Sequence, residues 1–185
     1  MRLVVPKWML NLASNIYFSH RPLFMLYHPD LHRIKGCEVR RVLESIEAGD
    51  VLLRQWRGYL NTTMTPGQWS HAGLYVGENK VIHALGKGVT EEDILDFCRT
   101  DSIAVMRPVS GGVEGAIQKA RDLIGSAYDY EFESGDQQYY CSELCDVCYD
   151  QLFEADYTTV AGNFLLTPDA IRHSDKVSTV IEIRH

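Results

Sequence analysis

Two short apolar runs, Ala72 to Val76 and Lys80 to Ala84, flank Gly77-Glu78-Asn79. A two- to three-residue polar connection of this kind, between runs of strand length, is a hairpin signal and commits the middle of the chain to antiparallel sheet. Val51 to Arg54, Ile103 to Arg107 and Val177 to Ile183 read as further strands. Helical spacing of Val39, Val42, Leu43 and Ile46 predicts a helix over Glu38 to Ile46. Helices are also expected over Val113 to Ile124, closed by Gly125, over Cys141 to Phe153, and after Thr167-Pro168-Asp169. A short helix near Asp93 to Cys98 takes Thr90 as its expected cap. Lys7 to Tyr27 reads as helical, interrupted at Pro22, Gly58 to Gly67 as a loop placed to overhang the following strand, and Tyr128 to Tyr139 as loop or edge strand. Strands and helices mix without regular βαβ alternation, so the expected class is α+β. The 185 residues suit one domain, 1–185, with 1–37 as an N-terminal helical extension.

The net charge of −7 argues against nucleic acid or an anionic membrane as the main partner. Five cysteines, an odd number, in a chain too large to need disulfide staples favour free thiols and a reducing compartment. The first residues lack the order of a secretory signal, so a cytoplasmic location is expected. The apolar segment Trp8 to Phe18 is short and broken by Asn11 and Asn15, which suits an amphipathic helix packed on the domain better than stable membrane insertion.

The chemistry concentrates on three residues. Cys141 opens a predicted helix, His71 stands at the start of a strand, and His83 follows on the neighbouring strand. A thiol attacks as thiolate, and both a helix N-terminus and an imidazole lower its pKa. His71 and His83 on one face of a hairpin can lie side by side, so that His83 holds the His71 ring in a productive tautomer. The plainer readings are a buried cysteine acting as a small hydrophobe and histidines hydrogen-bonded in the core. Cys141, Cys145 and Cys148 also have the C-x₃-C-x₂-C spacing of radical iron–sulfur enzymes, but that spacing is one helix face, which makes Cys145 and Cys148 core residues. A zinc site is weaker still, and no metal or cofactor is expected.

Five motifs carry a resemblance. They are Gly49-Asp50-Val51-Leu52-Leu53-Arg54, Trp69-Ser70-His71-Ala72-Gly73-Leu74-Tyr75, Val81-Ile82-His83-Ala84, Gly125-Ser126-Ala127-Tyr128-Asp129-Tyr130 and Tyr140-Cys141-Ser142-Glu143-Leu144. In this order they resemble the circularly permuted branch of the NlpC/P60 papain-like superfamily, specifically the YiiX-like permuted amidases. The resemblance implies a small antiparallel sheet or barrel packed against the cysteine helix, with Cys141 as nucleophile and His71 as general base. The third polar position falls on His83. That position is commonly glutamate in YiiX-like relatives and histidine in the lecithin:retinol acyltransferase-like branch. The oxyanion hole would use the backbone N–H of Cys141 and the Tyr128 hydroxyl, with Tyr140, Trp69 and Ser70 beside the substrate.

The expected activity is a thiol-dependent amidase or peptidase acting through an acyl-enzyme on a small-molecule, peptide or lipid-derived amide. The alternatives are a lipid acyl hydrolase or acyltransferase, suggested by His83 and the apolar N-terminal segment, and a silent module that binds peptide or lipid in the same cleft.

Overall fold

The computed structural model describes residues 16–18, 25–27, 32–57, 67–110, 112–132, 137–160 and 162–185. Its centre is a six-stranded antiparallel sheet built from β3 (Val51–Gln55), β4 (His71–Gly77), β5 (Lys80–Leu85), β6 (Gly88–Asp93), β7 (Ser102–Pro108) and β10 (Val177–Ile183). The order across the sheet is β10-β7-β3-β4-β5-β6, so β3 to β6 form a meander. The β4–β5 hairpin turns through Glu78 and Asn79, both with positive φ, as a tight primed turn requires.

Most antiparallel sheets leave one face to water. Here both are covered, which is why the strands read as continuous apolar runs. One face carries Val51, Leu53, Ala72, Leu74, Ile82 and Met106. Helices α3 (Val113–Asp122) and α4 (Cys141–Cys148) cover it. The opposite face carries Leu52, Tyr75, Val81, Ile103 and Val105. It is closed by α1 (Gly36–Ser45) and the single-turn α2 (Ile94–Phe97). Burying a leucine or phenylalanine contributes roughly 1.5–3 kcal/mol, so these two layers carry the fold.

The turn at Gly49-Asp50 is structural. Gly49 sits at φ +97, and its carbonyl accepts from the Tyr149 hydroxyl of the helical layer. Asp50 accepts from the Glu47 N–H at 2.8 Å and from Arg107 Nε at 2.8 Å and Nη2 at 2.9 Å, which fixes the entrance to β3.

Four expectations change. In place of a helix over Lys7 to Tyr27, the described parts form β1 (Ile16–Phe18) and β2 (Met25–Tyr27), paired antiparallel. β-Branched and aromatic Ile16-Tyr17-Phe18 suit a strand, and the rest of that segment lies outside the described residues. Residues 88–93 form β6, paired with β5 along its length, and Asp93 rather than Thr90 caps α2, its Oδ1 accepting from the Leu95 N–H at 2.9 Å. α4 stops at Cys148, because Asp150 and Gln151 adopt left-handed backbone. A hairpin of β8 (Thr158–Val160) and β9 (Asn163–Leu165), unforeseen in the sequence, precedes α5 (Pro168–His173), whose Thr167 cap follows expectation. The expected loop over Gly58 to Gly67 lies outside the described residues, apart from Gly67. Among the described residues no helix is long and apolar enough to cross a membrane.

Candidate active site

The alternation of β4 puts His71, Gly73 and Tyr75 on one face, and that of β5 puts Val81 and His83 on the same face. His71 and His83 meet there, His71 Nε2 lying 2.9 Å from His83 Nδ1. Gly73 makes this possible. A Cβ at that position would come within 2.8 Å of Val81 Cγ1, 3.0 Å of the Phe97 ring and 3.2 Å of His83 Cβ. The absent side chain leaves His83 room to lean across β4. Phe97 packs against both imidazoles, with ring centroids 6.0 Å from His71 and 5.5 Å from His83, and Trp56 stacks near His71 at 6.4 Å.

Two charged groups complete this face. Arg54 is opposite His71 in the β3–β4 register. Its guanidinium is buried between Trp56 and Phe97, 4.3 and 4.2 Å from the ring centroids. Its Nη1 donates to Glu92 Oε2 at 3.1 Å and to the Phe97 carbonyl at 3.3 Å. The same Glu92 oxygen lies 3.6 Å from His83 Nε2. Arg54 and Glu92 stand three strands apart, about 14 Å in a flat sheet. Their contact therefore relies on long side chains and a sheet curled toward this face. Sequence reasoning missed both residues. The available signal was a cation in a strand at the alternation of buried Leu52.

Burial, then the nearby Arg54, hold His71 well below its ordinary pKa. The same two causes push His83 from 6.5 to about 3. Both rings are neutral at neutral pH. Arg54 is lowered to about 10 by burial, opposed by Glu92, and stays charged.

Cys141 reaches β4 from the other side of the sheet. α4 begins there because Tyr140 and Ser142 clamp the chain at Leu166. The Leu166 N–H donates to the Tyr140 hydroxyl at 3.0 Å, and the Ser142 hydroxyl donates to the Leu166 carbonyl at 2.8 Å. The backbone N–H groups of Ala72, Ser142 and Cys141 itself, with the Ser142 hydroxyl, all favour the thiolate of Cys141. Burial outweighs them and the thiol pKa is raised. The expectation of a lowered thiol pKa is thereby overturned: the helix terminus and strand amide act on it as foreseen, but desolvation is larger. The thiol rests beside the N–H of the residue next to His71. No hydrogen bond joins sulfur and imidazole among the described residues.

Tyr128 is brought close to α4 because residues 127–129 run alongside 138–139, with the Tyr139 N–H donating to the Ala127 carbonyl at 3.1 Å and the Asp129 N–H to the Tyr139 carbonyl at 3.3 Å. Burial, and then the electrostatic influence of Cys141, raise its hydroxyl well above the ordinary pKa, so it keeps its proton as a donor. Three other residues expected beside the substrate also hold framework contacts. Trp69 is 1% exposed and packs in the core, its N–H donating to Asp169 Oδ2 at 2.7 Å. The Tyr140 hydroxyl is engaged by Leu166 and Tyr157. Ser70 donates through its N–H to the Arg54 carbonyl at 3.1 Å, extending the β3–β4 ladder. Cys145 and Cys148 are buried core residues, as their helix spacing implied.

A family model described as permuted papain-like amidase enzyme, YaeF/YiiX, C92 family, matches residues 45–181. The chain belongs to this family. The family's permuted order is visible here, with the histidine strand β4 preceding the cysteine helix α4. The solved structure of metalloprotein yiiX from Escherichia coli O157:H7 superposes with a TM-score of 0.62 at 19% identity, covering 76% of this chain and 99% of that one. It shares the fold. No curated protein matches the chain. That neighbour is described as a metalloprotein. The facing nitrogens of His71 and His83 are in mutual hydrogen-bond contact, and no group of three or more His, Cys, Asp or Glu suited to a metal gathers among the described residues.

Proposed function

We propose that the protein is a cysteine amidase in which Cys141 attacks an amide carbonyl and His71 is the general base. The observation that carries this reading is that His71, 2.9 Å from His83, stands next in β4 to Ala72, whose N–H faces the Cys141 thiol. His71 Nε2 is taken up by His83, which leaves Nδ1 for the sulfur. Both groups rest neutral, so proton transfer from thiol to Nδ1 accompanies attack instead of preceding it. The tetrahedral oxyanion would form beside the N–H groups of Cys141 and Ser142 and the Tyr128 hydroxyl. His71 then returns the proton to the leaving amine, and water releases the acyl group.

The test is mass-mapped labelling by a thiol-directed electrophile bearing an N-acyl group. Cys141 should carry the label, His71→Ala should slow it, and Cys141→Ala should abolish it with the fold intact. Label that persists unchanged in Cys141→Ala marks the nucleophile as misassigned. A second reading, acyl transfer or hydrolysis from a lipid ester, is favoured by the histidine at the third position. Its test is incubation with phospholipid vesicles, where neither acyl adduct nor free fatty acid counts against it.

A further inference from the structure

The hydrogen positions on the histidine pair follow from a neighbour outside the three expected residues. His83 is fully buried, and its Nε2 has no hydrogen-bond partner among the described residues. The acceptor it faces is Glu92 Oε2, at 3.6 Å. That oxygen is itself held by Arg54 Nη1 at 3.1 Å, and Arg54 is wedged between two aromatic rings. A proton on His83 Nε2 therefore points at a fixed carboxylate. A proton on His83 Nδ1 instead would leave a buried lone pair on Nε2 facing the carboxylate lone pairs, which is repulsive at low dielectric.

Resting on the amidase reading above, we propose that Glu92 is a positioning residue that sets the tautomers of the pair. With Nε2 of His83 protonated, its Nδ1 is an acceptor. His71 must then donate from Nε2 across the 2.9 Å contact, and its Nδ1 carries the lone pair that takes the Cys141 proton. With the His83 imidazole at the third position, a carboxylate from the next strand acts one ring further out. Glu92 reaches His83 because β5 and β6 pair with Val81 opposite Glu92 and His83 opposite Thr90, which makes His83 and Glu92 diagonal neighbours on one face.

Long-range proton–nitrogen NMR correlations on protein with ¹⁵N-histidine read the tautomers directly. In the wild type, both His71 and His83 should show a protonated Nε2 and a bare Nδ1. Glu92→Leu should shift His83 toward the Nδ1–H form, and His71 with it. Glu92→Gln, whose amide oxygen still accepts from both His83 and Arg54, should keep the wild-type pattern. Both variants remove the same charge, so a purely electrostatic role would change iodoacetamide alkylation of Cys141 equally in the two. A tautomer role makes Glu92→Leu at least about tenfold slower than Glu92→Gln, as for other outer partners that orient a reacting imidazole. A wild type with His83 protonated at Nδ1, or ring patterns unchanged in Glu92→Leu, overturns the proposal, and the wild-type spectrum alone decides it should Glu92→Leu fail to fold. The ring patterns read the carboxylate and the electrophile label reads the sulfur, so failure of one assignment is told apart from failure of the other.

Discussion

Acidification is the perturbation that most directly tests the buried neutral histidine pair. The unfolded chain takes a proton on His83 near pH 6.5, while the folded protein refuses it down to about 3. Between those values the unfolded state binds more protons, so stability rises with pH and is lost as the pH falls below 6.5. Each histidine held neutral costs about 1.36 kcal/mol of stability per pH unit. Acidifying from 6.5 to about pH 5 thus removes about 2 kcal/mol through His83. His71, lowered in the same direction chiefly by burial, adds to this loss. Glu38 and Glu182, whose pKa values lie below 4.5 in the folded protein, lose their contributions only at more acid pH. The assay is urea denaturation at stepped pH for the wild type and His83→Gln. Removing one of the two suppressed protonations should reduce the slope of stability against pH by about 1.4 kcal/mol per unit between about pH 5 and 6.5. Parallel slopes, or a wild type whose stability is flat across this window, would refute a pair held neutral by burial.

Alkylation of Cys141 should climb with pH on the alkaline side, with no fast plateau in mildly acid solution, because burial raises its pKa; a thiolate already reactive near pH 5, by mass-mapped iodoacetamide kinetics, contradicts that. Tyr128→Phe should lower kcat about a hundredfold with KM little changed, because it removes a protonated donor beside Cys141; an unaltered kcat on an amide substrate takes Tyr128 out of the oxyanion hole. Gly73→Ala should destabilise the protein by about 1–3 kcal/mol and disturb the histidine pair. The methyl would press on Val81 and the Phe97 ring at 2.8 and 3.0 Å, both held in the core. A thermal midpoint equal to wild type shows that the gap is not needed.

The strands of the sheet centre were legible because their apolar runs end at turn-forming residues. β6 was not, because Glu91-Glu92-Asp93 resembles the acidic first turn of a helix; pairing with β5 decides it, and pairing is non-local. The cysteine and two histidines could be found as motifs. Arg54 and Glu92 could not, since a lone charge on a strand ordinarily faces water, and their contact depends on strand order and sheet curvature. The acidity of Cys141 was also out of reach. Its sign depends on burial against four favourable donor groups, one of them on β4, sixty-nine positions earlier in the chain.

The site has two halves with different origins. Arg54, His71, His83 and Glu92 occupy the four consecutive strands β3 to β6, so the histidine half is a row across one local meander. A one-residue slip of β5 would turn His83 to the other face and put Ile82 or Ala84 in its place. Cys141 arrives separately, carried by α4 against the opposite face and held by the Tyr140 and Ser142 clamp on Leu166. The cysteine helix packs on β4 and β5, and the two halves meet at the first residues of β4. There the thiol rests on the Ala72 N–H, next in the chain to His71. Loosening the Leu166 clamp, as in Ser142→Ala, should slow labelling of Cys141 while leaving the ring-nitrogen pattern of His71 and His83 as in the wild type.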